Sequence, residues 1–185
     1  MFTGLLDKCC TNVQSEPHLT ELQGETFQNR TANTSSGARL DIRARNFWRQ
    51  GQDAYFDIRV THVNALSNKD FTTHSIFKRQ ETDKKREYNQ RVLEVEHGTF
   101  TPLVIGTNGG MGIECQMFIK NLADMIAIKQ SEEYATVITW IRTKLAFEVL
   151  RSTILCVRGS RRTWSANRIT ADFGLHAHDA GLVKL

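Results

Sequence analysis

Asp41, Asp57 and Arg59 are the residues whose types and spacing could do chemistry. Arg39 to Phe47 alternates, with Leu40, Ile42 and Ala44 on one side and Asp41, Arg43 and Arg45 on the other. Ala54 to Val63 alternates too, with Phe56, Ile58 and Val60 opposed to Asp57, Arg59 and Thr61. Both runs read as strands, and Arg49-Gln50-Gly51-Gln52-Asp53 reads as the turn between them. Strand residues two apart share a face, so Asp57 and Arg59 lie together. A turn centred near Gly51 brings Asp41 close to Asp57, on the polar face of a hairpin whose other face is buried. Two carboxylates held a few ångströms apart repel, and a divalent cation or a raised pKa relieves them. Their oxygens suit Mg2+ or Mn2+. Such an ion activates water and stabilises a phosphoryl transition state. D-x-R spacing alone fits a wet, salt-bridged strand better than it fits a metal centre.

The remaining elements must position that face. Phe2, Leu5, Leu6, Cys9 and Val13 have helical spacing over residues 2–13. Residues 24–38 are rich in Thr, Asn, Ser and Gly and read as a loop. A charged helix is expected over 73–95, with Ile76, Phe77, Gln80, Lys84, Tyr88, Arg91 and Val95 near one side. A strand is expected over 100–105, a glycine-rich turn over 106–112, and helices over about 113–129 and 132–157. The expected order is helix, two strands, helix, strand, helix, helix, an α/β pattern.

The chain has 185 residues and a formal net charge of +4. That length fits one domain, or one domain with a tail. The charge is uneven. Residues 142–168 carry seven basic side chains against Glu148 alone, a net of +6 that exceeds the total. Such asymmetry suits phosphate contacts, and it equally suits a basic, solubilising tail. Residues 78–91 carry six basic against three acidic side chains. The N-terminus has neither the basic nor the apolar stretch of a signal peptide, and no apolar run is long enough to span a membrane. Cys9, Cys10, Cys115 and Cys156 show no zinc spacing and read as reduced thiols. An intracellular setting, nuclear or cytoplasmic, is expected. The turn Gly106-Thr-Asn-Gly-Gly-Met-Gly112 lacks the Walker ending and the dinucleotide-binding spacing. Phosphate binding there is a weaker reading than a tight connection. Trp48 and Tyr55 flank the hairpin turn, where they read as base-stacking candidates or, more commonly, half-buried strand ends.

The run Ala38-Arg-Leu-Asp41 followed by Ala54-Tyr-Phe-Asp57-Ile-Arg59 resembles the D…(D/E)-x-K signature of the PD-(D/E)XK nuclease superfamily. Further stretches, among them Asn46-Phe-Trp, Lys84-Lys-Arg-Glu-Tyr-Asn-Gln-Arg-Val, Glu94-Val-Glu-His-Gly-Thr-Phe-Thr-Pro-Leu-Val and Gly109-Gly-Met-Gly, resemble a segment found beside reverse transcriptases in animal retrotransposon-derived proteins. The resemblance covers roughly residues 5–162. It implies a restriction-endonuclease-like αβββαβ core, a small mixed sheet flanked by helices, spanning 1–162. A basic, polar and poorly ordered tail is expected over 163–185. It further implies metal-assisted hydrolysis of DNA, with Mg2+ or Mn2+ held by Asp41, Asp57 and the backbone of Ile58. Arg59 stands in the place of the motif lysine, and Lys84 could supply the missing amine. Lys85, Tyr88, Arg158, Arg161 and Arg162 would contact nucleic acid. The first helix would be truncated, and the reverse-transcriptase region of a longer polyprotein would be a partner. A non-catalytic nucleic-acid-binding or structural remnant of the same fold is the alternative. Oligomeric state is left open.

Overall fold

Thr72 caps a 22-residue helix by accepting a hydrogen bond from the Ser75 amide, and that helix organises the fold. It is α2, Thr73–Glu94, in a computed structural model that describes residues 1–157. Before it come α1 (Phe2–Leu6), β1 (Thr11–Ser15), β2 (Ile42–Arg45) and β3 (Asp53–Thr61). After it come β4 (Thr99–Gly106), α3 (Ile113–Gln130) and α4 (Tyr134–Val157). The chain divides into units 1–149 and 150–185, and the sheet with α1, α2 and α3 lies in the first.

The four strands form one sheet in the order β1-β2-β3-β4. The first three are antiparallel, and β4 runs parallel to β3. A parallel pair cannot be joined by a tight turn, so α2 is the crossover. The result is a mixed α/β domain with a small mixed sheet flanked by helices. No described helix is long and apolar enough to cross a membrane.

Strand alternation sorts the core onto two faces. Ile42, Ala44, Ala54, Phe56, Leu103 and Ile105 enter the larger cluster, which α1, α3 and α4 complete. The Phe118 ring lies 4.9 Å from both the Phe47 and Phe56 rings. The opposite face carries Leu40, Tyr55 and Phe100 against Tyr88 and Val92, while Val104 meets Ile76 and Phe77.

Two expectations are corrected. Residues 2–13 are not one helix: α1 stops at Leu6, and Thr11–Ser15 is a strand. Asn12 has φ 49°, and the β1–β2 register slips between Thr11 and Gln14, so the apolar spacing continues across a turn into an irregular strand. The polar face of the hairpin is not a wet outer face either. α2 packs on it, leaving Tyr55 and Asp57 buried, while Val60, expected inside, is 54% exposed.

The segment between β1 and β2 is held against α2 by Arg91, which is fully buried. Its guanidinium donates to the carbonyls of Thr20, Asn33 and Ser35 at 2.8–2.9 Å. The Asn33 amide donates to Glu87 O at 2.8 Å. A loop of polar residues thereby becomes part of the wall around α2.

Candidate functional site

β2 and β3 pair in a register that sets Ile42 opposite Phe56. The pairing begins at Ile42, and Asp41 sits in a bend just before it, its amide donating to Phe56 O at 3.1 Å. Asp57 is buried on the α2 side of the sheet, and Asp41 lies near enough for its charge to raise the Asp57 pKa. Asp41 Oδ2 accepts a hydrogen bond from the Ile58 amide at 2.5 Å. That bond ties the residue just before β2 to the middle of the D-x-R tripeptide.

Asp57 has a partner that alternation in β3 does not reveal. Lys84, on α2, places Nζ 3.0 Å from Asp57 Oδ2 and donates to Oδ1 at 3.3 Å. Glu87 Oε2 lies 3.7 Å from the same nitrogen, and the Tyr88 ring centroid 5.3 Å from it. Asp57 Oδ2 is buried and accepts no well-directed hydrogen bond, so only the ammonium charge holds it. Burial pushes the Asp57 pKa up, the Lys84 hydrogen bond and charge pull it back in part, and Asp41 and Glu87 raise it further. Burial pushes the Lys84 pKa down, but the hydrogen bond and charge of Asp57 outweigh it, so the net direction is up. The pair favours both charged forms, but burial outweighs it at Asp57 and not at Lys84. Lys84 is consequently an ammonium at neutral pH and not a base.

The other expected site residues divide. Ile58 is half-buried against the larger core, and Arg59 is exposed two residues beyond Asp57. Lys85 is bound to Glu114 of α3, 2.5 Å away. Tyr88 is buried, its hydroxyl accepts from Asn33 Nδ2 at 3.2 Å, and its ring packs in the core. Arg158, Arg161 and Arg162 lie outside the described residues, as does the tail expected over 163–185. Trp48 and Tyr55 are likewise taken up by packing. The Trp48 indole donates to Thr101 Oγ1 at 3.0 Å, and the Tyr55 hydroxyl to Glu96 at 3.1 Å.

The chemistry of the donors fits a hard divalent cation in one respect. Carboxylates such as Asp57, with a buried oxygen that only a cation balances, are ligands Mg2+ accepts together with substrate phosphate oxygens. Among the described residues, however, no group of three or more His, Cys, Asp or Glu side chains could hold a metal. Lys84 already occupies the cationic position beside Asp57.

The turn over 106–112 is closed upon itself. Gly106 N donates to Gly110 O at 2.7 Å, and Gly112 N to Val104 O at 2.9 Å. At the N-terminus of α3 the Glu114 amide donates to Glu81 Oε1 at 2.9 Å, so a carboxylate of the chain already sits where a phosphate would. Burial holds the Glu81 pKa above the usual range, with the Glu114 amide pulling against it. A Cβ on Gly112 would collide with the Glu81 carboxylate. The backbone there is extended, so lack of room and not backbone strain demands glycine. Gly112→Ala should push the flexible Glu81 carboxylate aside and cost about 1 kcal/mol, the worth of the lost cap. In a thermal melt that is a fall of roughly 2–4 °C. An unchanged midpoint would show that Glu81 is not needed there.

The fold and the site define a mixed α/β domain with a lysine–aspartate ion pair beneath its crossover helix. No protein-family model, curated protein or solved structure matches the chain.

Proposed function

We propose that this is a restriction-endonuclease-like domain, retrotransposon-derived, acting in metal-dependent hydrolysis of DNA phosphodiesters. The observation that carries this reading is a buried Asp57 with the Lys84 ammonium 3.0 Å away, beside Asp41, whose carboxylate accepts from the Ile58 amide. The order helix, three strands, helix, strand supports it, being the order the resemblance implies.

On this reading Asp41 and Asp57 hold Mg2+ or Mn2+, with the Ile58 carbonyl assisting. The ion supplies water activation and charge neutralisation at the phosphate. Lys84 balances Asp57 and contributes positive charge to the transition state. It replaces the motif lysine in charge but not as a base, because it stays protonated. Arg59 offers a permanent cation to the DNA backbone from the same strand face. DNA, the reverse-transcriptase segment of a longer parent chain and a nuclear or cytoplasmic setting belong to the same proposal.

A second reading is a non-catalytic nucleic-acid-binding or structural domain of this fold. It is favoured by the ion pair that already neutralises Asp57 and by the lack of a third acidic ligand among the described residues. Supercoiled plasmid with Mg2+ or Mn2+ separates the two. Nicking by the wild type, reduced at least about 100-fold in Asp57→Ala, is expected, since even residues supporting a metal ligand commonly account for 10–100-fold. DNA binding by both proteins with nicking by neither would leave only the second reading.

A further inference from the structure

On the other side of the sheet, Trp140 stands 44% exposed on α4. Two ammonium groups flank its indole. Lys8 Nζ, from the turn after α1, is 5.2 Å from the ring centroid, and Lys144 Nζ, one helical turn along α4, is 5.1 Å away. The indole borders a cavity of about 250 Å³. Ile126 and Val137 give that cavity apolar surface, while Gln130 and Glu132 bring hydrogen-bonding groups to its rim. The volume is below the ~300–1,000 Å³ of sites for drug-sized ligands, and it suits a single planar ring.

We propose that Trp140 is a stacking platform for one unpaired nucleobase, with the adjoining phosphates taken by Lys8 and Lys144. Magnitudes decide between the lysines and a base for the indole. An exposed cation–π contact is worth about 0.5–1 kcal/mol, whereas base–aromatic stacking is worth about 1–3 kcal/mol. A base therefore displaces an ammonium from the ring, and the released cation pairs with a phosphate instead. Gln130 and Glu132 are placed to meet the edge of the base. The ligand is a single strand because only an unpaired base can leave its neighbours to stack on a protein ring. This site stands apart from Asp41 and Asp57 and does not depend on hydrolysis.

The test is fluorescence anisotropy with labelled 20-nucleotide oligothymidine and oligouridine, the two arms separating DNA from RNA. The wild type should bind at least one. Trp140→Ala should weaken that binding roughly 5–150-fold, the range equivalent to loss of one stacked base, and Trp140→Phe should lose less. Lys8→Gln and Lys144→Gln should each lower the slope of log affinity against log salt by about 0.7. Binding is measured in EDTA without Mg2+ or Mn2+, so a failure of nicking leaves this result intact. Failure of the wild type to bind either oligomer, or unchanged affinity in a folded Trp140→Ala, overturns the proposal.

Discussion

Arg91→Met should destabilise the protein by about 3 kcal/mol. The arginine is fully buried and donates to three carbonyls, those of Thr20, Asn33 and Ser35. Methionine fills similar volume but donates nothing. An orphaned carbonyl costs about 1–3 kcal/mol when water is kept from it and less at the exposed residues Thr20 and Ser35, and relief from burying a guanidinium offsets part of the sum. A loss near 3 kcal/mol lowers the melting midpoint by roughly 6–12 °C. The damage should also be local. Limited proteolysis should cut between residues 20 and 36 in the variant well before it cuts the wild type, because Arg91 is what holds that polar stretch to α2. Arg91→Lys should recover little, since a compact ammonium cannot span three carbonyls as the guanidinium fork does. A variant melting within a degree of the wild type would mean that the loop is held by other contacts.

Lys84→Met should be the most damaging change at the acidic pair. It leaves Asp57, with an 11% exposed side chain, ionised against Asp41 and Glu87 with no cation between them. Breaking a buried ion pair from one side costs about 3–5 kcal/mol. Protonation limits the loss. Neutralising an ordinary carboxylate at pH 7 takes about 4 kcal/mol, given a usual pKa near 3.9. A loss of about 2–4 kcal/mol at pH 7 is therefore expected. The sign of the pH dependence follows. In the variant the folded-state pKa of Asp57 is raised further above its unfolded value, so the penalty grows as pH rises through the unfolded value. It disappears as pH falls below about 4, where both states are protonated. Denaturant melts at pH 7 and pH 4 should thus show a deficit at the first and little at the second. Lys84→Met combined with Asp57→Asn should recover much of the stability, since no unpaired charge remains. An equal deficit at both pH values would show that the lysine stem, not its charge, stabilises the fold.

These two residues mark where local reading of the chain stops. Lys84 is 27 residues from Asp57, and Arg91 is 56–71 residues from the carbonyls it serves. Nothing in their own neighbourhoods distinguishes them from the other basic residues of a charged helix. Arg91 has helical spacing with Ile76, Phe77 and Tyr88, and that spacing signals an inward position without naming its partners. Trp140 was submerged in an apolar segment, because its exposure depends on which side of α4 meets α3.

The sequence by itself determined the helices and strands whose signals are local. The expected helix over 73–95 is Thr73–Glu94, that over 113–129 is Ile113–Gln130, and that over 132–157 is Tyr134–Val157. The expected strands over 54–63 and 100–105 are Asp53–Thr61 and Thr99–Gly106. Helical period, caps and alternation act within a few residues, so they can be read along the chain. The shared face of Asp57 and Arg59 follows from alternation alone. Tertiary structure decided the rest. Pairing β4 parallel to β3 forces α2 across the face that alternation marked as polar. That crossover buries Asp57, brings Lys84 to it and closes the loop over Arg91. It turns a strand surface of charged residues, which water would otherwise screen, into a buried electrostatic pair whose partner lies far away in sequence.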